Sequence, residues 1–309
     1  MALSRFTNTF AGNPLDRASD RRGDPDWIGA QRAHADAMTV VLWKGEVLVE
    51  AGKESERLAY LNLAMAEDAA AAEGLFLGMW KDAPVFAIDF PGSADPCAGP
   101  LSGLGRFQEM RGAGQILPGP EAGLAATAKS LFDWHEYHPF CARCGHSSEV
   151  VDGGWKRLCP SCRTEHFPRV NPVTIMLPVF EGRCLLGRQA AWPAGRMSAL
   201  AGFLEPGESI EEACARELQE EAGLTAVRVA YHSSQPWPFP SNLMIGLIAE
   251  VSDDDARPDQ TELEQVRWFT RDEMRQVLTN ETGWNGVLPP PPLAIARTLL
   301  DAWVDGFEG

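Results

Sequence analysis

GFLEPGESIEEACARELQEEAGL, Gly202 to Leu224, holds seven glutamates, and the reading of this stretch decides the fold around it. Ser209 with Glu212 three residues on is a capping box, so a helix is expected from about Ile210. Gly223 marks its end, because a glycine adopts the left-handed C-terminal conformation without strain. At 3.6 residues per turn, Ile210, Ala213, Cys214 and Leu218 form one apolar stripe aimed at a core. Glu217, Glu220 and Glu221, at i, i+3 and i+4, fall on the same side. Glu211, Glu212, Ala215, Arg216 and Gln219 carry the solvated face. Three carboxylates on a half-buried patch repel one another and resist desolvation. Hard divalent cations, Mg²⁺ or Mn²⁺, remove that penalty, since they prefer oxygen ligands and keep positions open for water and phosphate. The alternative is an exposed helix end, where like charges cost only tenths of a kcal/mol. The apolar stripe argues for the metal, and with it for metal-assisted attack of water on phosphorus.

The chain around this helix has 309 residues, 45% of them apolar, enough for two or three domains with a sizeable core. A net charge of −16 argues against coating nucleic acid or an anionic membrane by charge alone. The first twenty residues lack an apolar signal segment, and no run approaches a membrane-spanning length, so a soluble, cytoplasmic protein is expected, with no membrane partner.

From Val173 onward, TIMLPVF, CLLGRQ, SALAGFLE, VRVAYHSSQPW, LMIGLIAEV and QVRWF read as strands around the glutamate helix. TRDEMRQVL and LAIARTLLDAWV read as helices, so strands interleaved with helices indicate an α/β sandwich. Upstream, MTVVLWKGEVLVEAG (38–52) reads as a hairpin turning at Lys44-Gly45, and APVFAIDF (83–90) as a strand. The segment 58–74 is a helix or irregular, 91–105 and 112–123 are loops, and a helix runs from about Ala122 to His135. These make a small α+β accessory domain. No internal repeat is apparent.

Between the two lies a turn-rich segment, 140–168, with too few apolar residues for a core of its own. Cys141-x-x-Cys144 and Cys159-x-x-Cys162, fourteen residues apart, match a structural zinc ribbon. Four thiolates close the tetrahedron, so one structural Zn²⁺ per chain is expected and no chemistry at it. Arg143, Lys156, Arg157, Arg163 and Arg169 are read as a solvated basic surface. His135, His138, His146 and His166 are structural or surface residues. Cys97, Cys184 and Cys214 are small buried apolar groups.

Gly202, Glu208, Arg216-Glu217-Leu218, Glu220-Glu221 and Gly223-Leu224 reproduce G-x5-E-x7-R-E-U-x-E-E-x-G-U at every position, and the chain thereby resembles the Nudix hydrolases. SQPWPFPSN, Ser234 to Asn242, resembles the S-Q-P-W-P-F-P-x-S signature of the NADH pyrophosphatase branch, with Asn242 in place of the last serine. A zinc ribbon ahead of the catalytic domain is also that branch's architecture. The resemblance implies an α/β class chain. Its Nudix α/β/α sandwich with mixed sheet would span 171–309, preceded by a zinc ribbon over 136–170 and an accessory domain over 1–135.

What the resemblance implies for the site is specific. Glu217, Glu220, Glu221 and Glu262, with the carbonyl of Ala201, would hold Mg²⁺ or Mn²⁺, and Glu221 or Glu220 would take the proton from water. Glu208 and Arg216 would fix the loop, with Glu212 and Arg216 able to pair. Gln235, Pro236, Trp237, Pro238, Phe239, Pro240, Ser241 and Asn242 would recognise the nicotinamide mononucleotide half. Phe167 and Phe203 would stack on adenine, and Ala296 would touch the site through its backbone. Read on its residues alone, SQPWPFP is a proline-stiffened loop with Trp237 and Phe239 as core anchors. The activity implied is hydrolysis of the pyrophosphate of NADH or NAD⁺ by a homodimer, with NAD-capped RNA as a further substrate. Two rivals stand beside it. One is Nudix hydrolysis of another nucleotide such as ADP-ribose; the other is a noncatalytic zinc-ribbon protein that binds nucleic acid.

Overall fold

The computed structural model describes residues 7–50 and 56–307. Two compact units result: one comprises Phe10–Val170 together with Trp237–Ser241, and the rest of the described chain forms the other.

In the first unit, α1 (Pro25–Arg32) starts where the Asp24 carboxylate caps the backbone N–H groups of Asp26 and Trp27. The hairpin of β1 (Met38–Trp43) and β2 (Glu46–Val49) turns at Lys44 and Gly45, both at positive φ (52° and 76°). That is the conformation a two-residue hairpin loop demands. The last two residues of the hairpin as read from sequence, Ala51 and Gly52, lie outside the described residues. β3 (Leu61–Asn62) runs directly into α2 (Leu63–Ala70), followed by β4 (Leu75–Trp80), β5 (Ala83–Asp89), β6 (Arg106–Gln108), α3 (Met110–Ile116) and α4 (Gly119–Tyr137). The sheet order is β4-β5-β1-β2-β6, with β3 paired to β1 and only β1–β5 parallel.

The loop expected over 112–123 is therefore mostly helix. Its glycines and prolines read as breakers, yet Glu109 caps Arg111 and Gly112 with its carboxylate. Pro120 sits in the first turn of α4, where a missing N–H breaks no helical bond. Burial of Met110, Ala113 and the alanine face of α4 supplies what propensity lacks.

The same unit carries a three-stranded antiparallel sheet of β7 (Glu149–Val151), β8 (Lys156–Leu158) and β9 (Glu165–His166), in that order. Trp155 fastens it to β4: its indole N–H donates to the Phe76 carbonyl at 2.7 Å. The guanidinium groups of Arg17 and Arg22 lie 5.0 and 4.5 Å from its ring.

The second unit contains β10 (Asn171–Phe180), β11 (Arg183–Arg188), β12 (Leu200–Phe203), α5 (Ile210–Ala222), β13 (Ala226–Trp237, its last residue in the first unit), β14 (Asn242–Val251), β15 (Gln265–Thr270), α6 (Arg271–Thr279) and α7 (Ile295–Val304). The sheet order is β13-β14-β10-β11-β15, with β12 on β10 and β10–β14 parallel. Alternate residues of β10 serve opposite faces. Ile175 and Leu177 join Leu299 and Trp303 of α7, while Met176 joins Cys214 and Leu218 of α5. A mixed sheet buried on both faces is the α/β/α sandwich expected. Cys184 and Cys214 are fully buried in these cores, whereas Cys97 is half-buried.

The two large sheets share one topology. Three strands, a helix, three strands and two helices follow in the same order in each, and the first and fifth strands form the parallel pair in both. The fold is present twice, although no repeat is legible in the sequence. The copies differ where chemistry would sit: α2 has 8 residues and follows β3 without a loop, whereas α5 has 13 and follows the loop 204–209.

Leu218 is fully buried beneath α5. Leu218→Ala should cost about 3 kcal/mol, measured as a lower urea midpoint with unchanged slope. Glu211→Ala on the exposed face should stay within about 0.5 kcal/mol of the parent.

Candidate active site and metal centre

The cysteines of the ribbon come from two turns built alike. In each, the N–H four residues on returns to the first cysteine's carbonyl, Gly145 to Cys141 and Arg163 to Cys159, both at 2.9 Å. Gly145 and Arg163 stand at positive φ, 76° and 60°. The sulfur pairs Cys141–Cys162 and Cys144–Cys159 are 3.6 and 3.5 Å apart, and all four sulfurs lie within 4.8 Å of one another. Tetrahedral zinc with bonds of about 2.3 Å requires sulfur separations of about 3.8 Å, so this set fits it. The Thr164 hydroxyl, 3.2 Å from the Cys162 sulfur, and the Thr164 N–H hold that thiol down at about 6. His166 Nε2, 3.3 Å from the Cys141 sulfur, supports a thiolate from outside the four.

Of the basic residues read as a solvated surface, Arg157 is not one. It is buried, donating to the Ser148 hydroxyl and carbonyl at 2.8 and 2.7 Å and to His135 Nδ1 at 3.0 Å. Arginine can only donate, so His135 carries its proton on Nε2, which donates to the Gly154 carbonyl at 2.8 Å. The imidazole is kept neutral, and burial pushes its pKa down, with Arg157 adding to that.

The second constellation is organised by Arg216 on α5. Its Nε and Nη2 donate to the two oxygens of Glu208 at 2.6 and 3.0 Å. Nη1 donates to Glu217 and Glu220, both at 2.8 Å, and Nη2 also reaches the Phe203 carbonyl at 2.9 Å. One guanidinium thus ties the loop 204–209 to the end of β12 and to two carboxylates. With Arg216 and the Glu205 N–H as donors, the Glu208 carboxyl drops to about 2. Glu212 does not pair with Arg216 here; its carboxylate closes the capping box on the Ser209 N–H at 2.7 Å.

Glu217 and Glu221 are buried and Glu220 is exposed, so the stripe of three carboxylates read from sequence becomes two plus a flanking one. Glu217 lies against β12 so closely that a Cβ on Gly202 would fall 1.8 Å from its carboxyl carbon. This is the physical reason for glycine there. Glu221 is 3% exposed, and its Oε2 is buried with no hydrogen-bond partner. Burial first, then Glu217, Glu262 and Asp259, push its carboxyl up to about 8, opposed by the Ala201 N–H. Burial likewise raises Glu217 against the pull of Arg216. Among the described residues only the four cysteines have all donor atoms within 4.8 Å. Glu217 and Glu220 are instead drawn to Arg216. An orphaned buried oxygen within the field of Glu217, Glu262 and Asp259, with Gly202 making room for Glu217, nonetheless fits hard cations, which prefer oxygen donors.

The remaining expected residues fall in different settings. Gln235 is 1% exposed: its Nε2 donates to the Thr9 and Leu293 carbonyls at 3.1 and 2.7 Å, and its Oε1 accepts the Ile295 N–H at 2.8 Å. Its side chain is bonded to backbone at both ends. Ala296 follows in the first turn of α7, also buried. Trp237 and Phe239 meet edge to face at 5.0 Å, both against Phe10. Arg111 stacks its guanidinium 3.9 Å over the Phe239 ring. Phe239 and Pro240 line a cavity of about 940 Å³ in the first unit, with Lys44, Asp89, Lys129 and Glu136. Asn242 accepts from Asn171 Nδ2 at 3.1 Å, its neighbour in register on β10. Phe167, in the first unit, and Phe203, in the second, are 62% and 57% exposed.

Residues 36–134 match the NADH pyrophosphatase-like rudimentary NUDIX domain, 137–167 the NADH pyrophosphatase zinc ribbon domain, and 169–288 the NUDIX domain. The NAD-capped RNA hydrolase NUDT12 of Homo sapiens is 33% identical over 96% of this chain and 73% of its own. The chain belongs to the NADH pyrophosphatase branch of the Nudix hydrolases. Similar at greater identity over less length are the mitochondrial NAD(P)H pyrophosphatase NUDT13 of Homo sapiens (41%, 65% of this chain and 60% of its own) and the NAD-capped RNA hydrolase NudC of Mycobacterium bovis (40%, 63% and 64%).

As a Nudix hydrolase of this branch, the chain has one full copy of the fold and one rudimentary copy. In the rudimentary copy, Glu67 of α2 is taken up by an ion pair with Arg32 and by the Gly74 N–H. Sequence reading missed Asp259, whose carboxylate accepts the backbone N–H groups of Glu262 and Leu263. An aspartate three residues ahead of a functional glutamate is a turn signal that could have found it.

A histidine with a lowered folded pKa contributes stability that is present above its ordinary value of 6.5 and lost as pH falls through the folded pKa. Thermal midpoints should therefore drop as pH falls below 6.5, and less so in His135→Gln. Elemental analysis should find one zinc per chain, and releasing it with a mercurial should lower the thermal midpoint, because the ribbon has no core of its own.

Proposed function

We propose that this chain hydrolyses the pyrophosphate of NADH and NAD⁺, giving AMP and nicotinamide mononucleotide, and removes NAD caps from RNA 5′ ends. The observation that carries hydrolysis is Glu221, a buried carboxyl with an unpartnered oxygen, set in a box matched at all positions. The substrate is supported by relatives named as NAD-capped RNA hydrolases and an NAD(P)H pyrophosphatase. The domain reading behind it is an accessory domain over 1–135, a ribbon over 136–170 and the hydrolase domain over 171–309.

Glu217, Glu220, Glu221 and Glu262, with the Ala201 carbonyl, would hold Mg²⁺ or Mn²⁺. Such ions, when bound, offset charge on the pyrophosphate and lower the pKa of water. Of the two candidates for the base, Glu221 is the better placed. Its Oε2 has no donor to satisfy, whereas Glu220 is exposed and engaged by Arg216. Once cations offset the surrounding negative charge, the ionised Glu221 carboxylate would take the proton as water attacks phosphorus and the bond to the leaving phosphate breaks. Arg216 and Glu208 keep the box loop in register and do not touch substrate. The exposed rings of Phe167 and Phe203 suit stacking on adenine. The stretch Gln235 to Asn242 would receive the nicotinamide end, and Ala296 would offer backbone. We read the working form as a cytoplasmic homodimer; no helix among the described residues is long and apolar enough to cross a membrane.

The deciding experiment is chromatographic product analysis after incubating NADH with the protein and Mn²⁺ or Mg²⁺. AMP and reduced nicotinamide mononucleotide are expected; intact NADH with ADP-ribose consumed would transfer the reading to another Nudix substrate. Glu221→Gln should remove at least 99% of turnover, on the order of 3 kcal/mol in transition-state stabilisation. The same change should raise the thermal midpoint of metal-free protein, since it removes a carboxyl that burial disfavours.

A further inference from the structure

We propose that Asp259 is a positioning residue: it shapes the turn that holds Glu262 opposite Glu221, and so completes the carboxylate set. This rests on the reading of those glutamates as a divalent-metal site. The segment 252–264 joins β14 to β15 and is fastened to the end of α5 by two backbone bonds. Arg257 N–H donates to the Ala222 carbonyl at 2.9 Å, and Asp259 N–H to the Glu221 carbonyl at 3.2 Å. Asp259 is thus tied directly to the residue whose buried carboxyl needs a counter-charge.

Its side chain turns the other way along the chain. Oδ1 accepts the N–H groups of Glu262 and Leu263 at 3.2 and 2.8 Å, and Oδ2 accepts Glu262 N–H at 3.0 Å. Gln260 takes positive φ, 63°, and its N–H donates to the Leu263 carbonyl at 3.0 Å, closing a tight turn. Beyond the turn, Leu263 is 3% exposed in the core beneath α5, where its methyls fill the space a side chain on Gly187 would occupy. Glu264 N–H then bonds the Arg188 carbonyl at 2.9 Å. Glu262 is therefore held between two fixed points, with its exposed side chain projecting from the turn. Its charge is felt at Glu221. Both oxygens of Asp259 are spent on backbone, which assigns it to the turn and not to the ligands. An asparagine keeps an acceptor oxygen at the same place without the charge; an alanine keeps neither.

The test measures Mn²⁺ binding to full-length, zinc-loaded protein by the paramagnetic resonance of free Mn²⁺, without substrate. The variants are Asp259→Ala, Asp259→Asn, Glu262→Gln and the double variant Asp259→Ala/Glu262→Gln. Asp259→Ala should weaken binding about tenfold, which is about 1.4 kcal/mol. Asp259→Asn should stay within about twofold of the parent. The double variant should bind no more weakly than Glu262→Gln alone, because the aspartate acts through that glutamate. Zinc content and the metal-free thermal midpoint should match the parent in Asp259→Asn, which keeps the comparison valid even where the alanine variant folds poorly. Parent-like binding by Asp259→Ala overturns the proposal. So does an asparagine variant as weak as the alanine one, which would make the charge, not the turn, the cause. Loss of binding in Glu262→Gln but not in Asp259→Ala sinks this inference and leaves the metal site standing. A parent protein that binds no Mn²⁺ removes both.

Discussion

Glu221 is a carboxyl inside a core, and the arrangement around α5 follows from the difficulty of keeping it there. A carboxylate out of water, with an oxygen unpartnered and three other carboxylates acting on it, is disfavoured on every count. The structure does not relieve Glu221 itself. It neutralises the neighbours instead, with Arg216 gathering Glu208, Glu217 and Glu220 on one guanidinium. The remaining deficit is concentrated on one atom. Such a site is stable enough to fold and still has a strong demand for positive charge, which is the condition under which a divalent ion binds as part of the fold.

The rudimentary copy of the fold makes the same point by contrast. The shared order of strands and helices means that the α/β/α frame does not itself require the carboxylates. With the loop between β3 and α2 missing and α2 short, the equivalent helix end has no place to gather them. An acid of that helix, Glu67, is paired with Arg32 and the Gly74 N–H and makes no demand for a cation. Where burial of charge has no function to serve, an internal ion pair is the more economical solution. The comparison separates what holds the sandwich together from what makes it reactive: apolar alternation along the strands for the first, and an imperfectly satisfied helix for the second.

Legibility in the sequence followed how local each determinant is. The limits of α5 are written in adjacent residues, Ser209, Glu212 and Gly223, and the four cysteines carry their own spacing, so both were readable. Helix α3 and the first turn of α4 were hidden because Gly112 and Pro120 look like breakers until burial of Met110, Ala113 and the face of α4 is known. The duplication was illegible because topology is conserved between the two sheets where side-chain identity is not. Within the site, helical periodicity put Glu217, Glu220 and Glu221 on one side but could not know that Arg216 would draw Glu220 outward. The bonding of Gln235 was illegible for a related reason: its partners, the carbonyls of Thr9 and Leu293 and the N–H of Ile295, lie far away in sequence.

An acidic chain and an anionic pyrophosphate repel one another in bulk, but the relevant distances are short. At physiological salt, exposed charges more than about 8 Å apart are largely screened. A net charge of −16 spread over 309 residues therefore says little about the field at one atom. What the substrate would meet is set by the groups within that range: the box carboxylates, Arg216 and any cation they hold. On this view the excess of acid is a condition of the proposed activity. Carboxylates that recruit divalent ions present positive charge to a phosphate through the metal, and they release it when the metal leaves. A lysine-lined site would attract the same substrate at lower cost, yet it would lack the Lewis acidity that makes water a nucleophile at neutral pH. The sequence accordingly places acid, and not base, at the buried end of α5.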